Sequence, residues 1–224
     1  MSEPMRTDDW AGEMGERWLA NLDRFESMME PVGDALLAHA AFMPGERVLD
    51  IGCGGGGTSF AIGGRVAPDG VVLGLDVSPV LVAEARRRAR AAGLTQVDFS
   101  LGDASADTPP GAHVEVPPPP AEGPGPFSLA DPDQLSRLLE GAGFTVEQCQ
   151  RWQGPQWLGG KGADPRAAAD FCLQSMSFGR VVKALAAPLR AQIEADIVAH
   201  LAAFAQPGGI RMNASAWLVS ARRP

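Results

Sequence analysis

Val48-Leu49-Asp50-Ile51-Gly52-Cys53-Gly54-Gly55-Gly56-Gly57-Thr58-Ser59-Phe60 joins a short apolar strand to a helix through a loop that is almost all glycine. Glycine admits positive φ and leaves room for a ligand where a Cβ would collide. The helix that follows opens with unpaired N–H groups and the positive end of its dipole. Strand, glycine loop and helix start, in this order, build a site for a nucleotide-like cofactor.

The alternation of strand and helix continues outward from this stretch. Ala11 to Ala41 carries Trp18, Leu22, Phe25, Met29 and Val32 at helical spacing, then Leu36, Leu37 and Ala40, which predicts one or two amphipathic helices with a break at Pro31. Arg47 to Ile51 is the first strand, and Thr58 to Val66 the next helix despite Gly63 and Gly64. Ala67-Pro68-Asp69-Gly70 turns the chain into a second strand, Val71 to Val77. Ser78 as cap and Pro79 in the first turn open a helix that Gly93 stops. Gln96 to Leu101 is a third strand, with Val97, Phe99 and Leu101 alternating. Two strand-helix-strand units in succession imply a parallel, doubly wound α/β sheet.

The acids after the loop sharpen the ligand. Asp76 closes strand two 20 residues beyond Gly56, where an acid in such folds accepts both hydroxyls of a ribose. Each such charge-assisted hydrogen bond is worth roughly 1.5–3 kcal/mol. Gly102-Asp103-Ala104 ends strand three and brings a second acid to the same carboxyl edge, within reach of an adenine amino group. Asp50 ends strand one, so three successive strands deliver Asp50, Asp76 and Asp103 to the edge where open α/β sheets bind ligands.

Composition narrows the partners. The 224 residues are 45% hydrophobic and 21% charged, enough for a full core and consistent with one globular domain. No apolar run reaches the ~18 residues of a membrane helix, and Met1 to Gly15 has neither the basic nor the apolar region of a secretion signal. Cys53, Cys149 and Cys172 are scattered and odd in number, which suits a reducing cytoplasm and gives no metal-ligand spacing. A net charge of −8 weighs against nucleic acid or an anionic membrane as partner.

Asp50-Ile51-Gly52-Cys53-Gly54-Gly55-Gly56 with Asp76 and Asp103 downstream resembles the class I S-adenosylmethionine-dependent methyltransferases, particularly the small-molecule enzymes of ubiquinone and menaquinone biosynthesis. The resemblance implies that Gly52, Gly54 and Gly56 pass under the methionine moiety, that Asp76 holds the ribose, that Asp103 meets the adenine, and that Asp50 shapes the loop or faces the methionine amine. Cys53, Thr58, Val77, Ser78, Ala104 and Trp18 complete the cofactor contacts it implies, with S-adenosylhomocysteine as product. Trp10 to Trp18 is similar to the family's lid over the cofactor. Gly125-Pro126-Phe127, the Asp131-capped helix, Gly143-Phe144-Thr145-Val146 and the closing Ala216 to Arg222 resemble its last helix and antiparallel strands. The implied organisation is one domain over 1–224: a helical lid at 1–45, a cofactor-binding βαβαβ unit at 46–103, a Pro-rich junction at 104–126, and C-terminal helices and strands at 127–224.

The junction departs from the family. Where the family places its fourth and fifth strands with their helices, this chain has 23 residues, from 104 to 126, of which eight are proline. Two strand-helix units need on the order of 60 residues, and proline removes ladder donors. The expected sheet therefore lacks central strands four and five, which leaves strand one with an unpaired edge. Phe144 to Trp152, Asn213 to Ala221 or a second copy of the chain in a homodimer are the candidates to fill it.

Methyl transfer from a sulfonium asks little of side chains, since positioning alone supplies ~7–11 kcal/mol. Should the acceptor need a base, His39, His113 and His200 are the candidates by type, though none sits in a motif, and no catalytic residue is assigned. Aromatic faces favour a sulfonium by ~0.5–2 kcal/mol, which brings forward Trp10 and Trp18, the latter with core packing as the other reading. Arg86, Arg87, Arg88 and Arg90 read as a solvated helix face, and Cys53 as a small loop residue rather than a nucleophile. Alanine-rich helices at Asp164–Ala187 and Leu189–Phe204, divided by Pro188, are expected to cover a substrate cavity, with Phe171, Met176 and Phe178 as wall or core. Three functions follow: methyl transfer from S-adenosylmethionine to a small, fairly apolar molecule; a cofactor-binding or assembly module without catalysis; and a nicotinamide oxidoreductase, because Gly52, Gly54 and Gly57 also fit the dinucleotide spacing.

Overall fold

The computed structural model describes residues 10–104, 129–176 and 178–223, which sort into two compact units. Of the described residues, the first unit takes 10–16, 36–104, 129–152 and 216–223. It contains β1 (Arg47–Ile51), α3 (Gly57–Val66), β2 (Val71–Asp76), α4 (Pro79–Ala91), β3 (Val97–Leu101) and α5 (Pro132–Gly141). Ahead of these lie α1 (Glu13–Ala20) and α2 (Leu22–Ala40), whose residues are shared with the second unit.

The three strands form a parallel sheet in the order β1-β2-β3. Arg47 lies opposite Val71 and Ile51 opposite Leu75, while Val72 faces Val97 and Asp76 faces Leu101. This register brings the ends of all three strands to one edge, as the two strand-helix-strand units require. Ile62 and Val66 of α3, Val82, Ala85 and Ala89 of α4, and Val72, Val97 and Phe99 of the sheet share one apolar core. Phe99 is 1% exposed, and burying such a ring stabilises the fold by about 1.5–3 kcal/mol.

Two glycines set how closely the layers approach. A Cβ on Gly63 would lie 2.5 Å from Val97 Cγ2, so the weak helix former at this position lets α3 rest on β3. A Cβ on Gly74, in the middle of β2, would meet Phe99 Cδ1 at 2.5 Å and Cys53 Sγ at 2.9 Å. The glycines that weaken the local helix and strand are the ones the packing needs.

The second unit takes Arg17–Ala35 and Gln153–Ser215. Helix α6 (Pro165–Ser175) starts on Asp164, whose side chain accepts from the Ala167 N–H at 2.7 Å. It is followed by α7 (Phe178–Lys183) and α8 (Ala187–Ala202). Phe25, Met28, Phe171 and Cys172 form one apolar cluster, and Ala168, Ala169, Leu201 and Ile210 another. A second sheet, in the order β4-β6-β5, joins β4 (Thr145–Leu158), β6 (Gly209–Arg222) and β5 (Ala205–Gln206), with β5 antiparallel to β6; the residues of β4 and β6 are shared between the two units.

Several expectations change. Pro31 does not break the first helices: α2 runs through it from Leu22 to Ala40, because the one backbone bond proline removes is outweighed by the apolar face that buries Phe25 and Met28. Pro188 opens α8 in its first turn instead of dividing two helices, the position where its missing N–H costs nothing. Ser78 holds the cap position of α4 without capping it: its hydroxyl is fully buried and has no hydrogen-bond partner among the described residues. Neither late strand moves beside β1, for β4 and β6 pair with each other. Residues 105–128, which take in the rest of the proline-rich junction after Ala104 together with His113 and Phe127, lie outside the described residues. Among the described residues no helix is long and apolar enough to cross a membrane.

Gly74→Val forces a branched side chain against Phe99 and Cys53, and overpacking of this kind costs about 1–3 kcal/mol. Urea unfolding should show that loss, and a variant as stable as the wild type would mean that β2 and Phe99 are not packed as described.

Candidate cofactor site

The loop after β1 is shaped by three glycines in the left-handed region, Gly52 (φ 73°), Gly54 (φ 54°) and Gly56 (φ 87°). A side chain would be strained at each. Gly56 is closed in as well, since a Cβ there would sit 2.7 Å from Phe60 Cζ and 2.8 Å from Phe99 Cζ. Gly52 is the opposite case: it is exposed, and a Cβ would meet nothing within 4 Å. The loop is thus packed from below and open at Gly52.

Its peptides are tied to the neighbouring strand. The Leu75 carbonyl accepts from the N–H groups of Gly52 at 2.7 Å and Cys53 at 3.1 Å. Asp76 Oδ2 accepts from the Gly54 N–H and Oδ1 from the Ser78 N–H, both at 2.8 Å. One carboxylate therefore spans the glycine loop and the turn into α4. Across the loop, the Ser59 hydroxyl donates to Asp50 Oδ2 at 2.6 Å and joins the end of β1 to the first turn of α3. The Gly102 N–H donates to the Asp76 carbonyl at 3.0 Å, which sets Asp103 and Ala104, both half-buried, directly beyond the end of β3.

Burial raises the pKa of Asp50; the Ser59 hydrogen bond opposes the shift and the nearby Asp76 charge adds to it. Cys53 is 7% exposed, belongs to the core, and burial pushes its thiol up to about 12. A neutral buried thiol is no nucleophile at neutral pH. Thr58 lies in the first turn of α3 and Val77 in the turn after β2, each half-buried. Gly15, near the start of α1, is buried where a Cβ would run into the Ser78 side chain and come within 2.5 Å of the Trp10 carbonyl. The N-terminal segment of the first unit thereby rests on the turn next to Asp76.

Trp18 belongs to the second unit and stacks on Phe25, with ring centroids 3.7 Å apart. His39 is in the last turn of α2, with Nε2 buried and unpaired among the described residues, and His200 packs against Phe204 at 5.5 Å. Two sets of residues escaped the sequence reading. Ser59 is buried and polar in the first turn after the loop, a placement the Asp50 partner explains. Arg86 and Arg88 do not face solvent alone: they donate to the carbonyls of Phe99 and Gly55. Their signal was their place four residues after Val82 and three after Ala85, bordering the apolar stripe of the helix.

A parallel sheet that brings a glycine loop and three acids to its carboxyl edge defines an α/β cofactor-binding domain. Residues 43–110 match a methyltransferase domain model, in keeping with the resemblance of the stretch from Asp50 to Asp103 to the class I S-adenosylmethionine-dependent methyltransferases. The chain is 39% identical over 79 residues to the aklanonic acid methyltransferase DauC of Streptomyces sp. (strain C5), covering 35% of each chain. It is 35% identical over 86 residues to the nocamycin O-methyltransferase of Saccharothrix syringae, covering 38% of this chain and 31% of that one. The chain thus spans about a third of the length of these curated relatives. Its fold is similar to the crystal structure of the [4+2]-cyclase SpnF, with TM-score 0.55, 18% identity, and coverage of 100% of this chain and 99% of that one.

The residues present fit S-adenosylmethionine, the cofactor of this class. Each Asp76 oxygen accepts one backbone N–H and keeps a lone pair for a ribose hydroxyl. Gly52 leaves the open space that a ligand along the loop needs.

Because the Asp50 pKa is raised, the folded chain binds its proton more tightly than the unfolded chain. Its contribution to stability is unfavourable above the folded-state pKa and fades as pH falls through the ordinary carboxylate range. Asp50→Asn keeps an acceptor for Ser59, so its thermal midpoint relative to wild type should rise between pH about 4 and about 7. A difference that is flat across that range would contradict a buried, desolvated Asp50.

Proposed function

We propose that this chain transfers the methyl group of S-adenosylmethionine to a small, fairly apolar molecule. The observation that carries the reading is the Asp76 carboxylate, held by the Gly54 and Ser78 N–H groups at the sheet edge. In this reading Asp76 holds the ribose, Gly52, Gly54 and Gly56 run beside the methionine end, and Asp103 with Ala104 borders the adenine. Asp50 supports the loop through Ser59 rather than touching the cofactor. When bound, the cofactor supplies an already activated methyl on a sulfonium cation. The chain's own residues then have to fix the ribose, keep the loop in its left-handed turns and hold the acceptor in line, and such positioning is worth ~7–11 kcal/mol. The acidic edge also favours a cation.

The small-molecule acceptor is supported by relatives whose names give aklanonic acid and nocamycin. A net charge of −8 supports it over a polyanionic partner. A second reading, cofactor binding without methyl transfer, is favoured by the 23-residue junction at 104–126, which is too short for two strand-helix units.

Calorimetric titration with S-adenosylhomocysteine tests the cofactor. Asp76→Ala removes both ribose acceptors and the tie to Gly54, so its affinity should fall by about 100-fold or more. Tight binding of NADH with none of S-adenosylhomocysteine would sink both cofactor readings. Release of labelled methyl to a small acceptor then separates transfer from binding alone.

A further inference from the structure

Four arginines lie within five residues on α4, and they do different things. Arg87 pairs with Glu84 at 2.7 Å and its side chain is 64% exposed. Arg86 donates Nε–H and Nη2–H to the Phe99 carbonyl at 3.0 and 2.6 Å. Arg88 reaches the glycine loop: Nη1 donates to the Gly55 carbonyl at 2.7 Å, and the guanidinium lies over the Phe60 ring, 5.3 Å from its centroid.

The Gly55 carbonyl shares a peptide plane with the Gly56 N–H, which donates to the Cys53 carbonyl at 2.9 Å. This plane is thus held at both ends, by Cys53 on one side and Arg88 on the other. A peptide between two glycines is the easiest in a chain to rotate, because neither residue has a Cβ to hinder it. Rotation would exchange the carbonyl and N–H faces of the loop and release Gly56 from beneath Phe60 and Phe99. A guanidinium makes a strong, directional hydrogen bond to a carbonyl, and its flat face stacks on an aromatic ring as an ammonium on a flexible stem does not. Phe60 meets Phe99 edge-on at 5.7 Å, so the arginine, the ring and the core form one support under the loop.

We propose that Arg88 is a positioning residue for the cofactor loop, locking the Gly55–Gly56 peptide in the orientation that receives S-adenosylmethionine. The proposal rests on the cofactor reading above and extends it to a residue outside the loop. Arg88 acts through the Gly55 carbonyl rather than on the cofactor itself.

Arg88→Met keeps the apolar stem and removes the donor. In the full chain it should weaken S-adenosylhomocysteine about tenfold and speed hydrogen exchange at the amides of residues 52–60, with the rest of the sheet unchanged. Arg88→Lys should restore part of both, and Arg87→Met should behave as wild type. Unchanged loop exchange, or faster exchange with unchanged affinity, overturns the proposal. So does exchange that rises equally throughout the sheet with a lower thermal midpoint, which would give Arg88 only a general structural role. Failure of the wild type itself to bind S-adenosylhomocysteine is a separate result, and it defeats the cofactor reading.

Discussion

The Asp76 carboxylate is the constraint on which the rest of the first unit depends. Its two oxygens accept the Gly54 and Ser78 N–H groups, and its backbone carbonyl accepts from Gly102. Loop, α4 turn and the end of β3 are therefore referred to one residue. Four successive glycines ordered without such ties would lose backbone entropy of roughly 1–2 kcal/mol each with little in return. The carboxylate turns that cost into a defined loop, and it does so with acceptor capacity left over.

The same arrangement explains the electrostatics. Asp50 and Asp76 end adjacent parallel strands, so their charges oppose each other. Ser59 moderates this at Asp50 with a hydrogen bond, while the Asp76 carboxylate accepts from two backbone N–H groups. An edge built this way favours a cation and hydroxyl donors together, which is the combination that the sulfonium and ribose of S-adenosylmethionine present.

Much of the first unit was legible in the chain. β1 ends where the apolar run meets Gly52, and β2 and β3 differ from expectation by one residue at an end. The family resemblance came from the spacing of Asp50, Asp76 and Asp103, and the match over residues 43–110 covers the same stretch. Where local signals failed, packing had overruled them. Pro31 stays inside a helix because that helix has an apolar face to bury, and Ser78 gives up its cap while its side chain lies against Gly15. The arginine run looked uniform because a one-dimensional pattern cannot tell which members border the apolar stripe closely enough to reach a carbonyl.

By itself the sequence determined the class of ligand, because positive-φ glycines after a strand and acids at fixed distances are local requirements written in residue types. It determined the parallel run of the first three strands for a related reason: strand-helix-strand units in succession leave few alternatives. Only the tertiary structure decided how the loop is held. The partners of Gly54, Gly55 and Asp50 are Asp76, Arg88 and Ser59, 22, 33 and 9 residues away, and no local pattern encodes a contact whose two halves meet only after the sheet and α4 have packed.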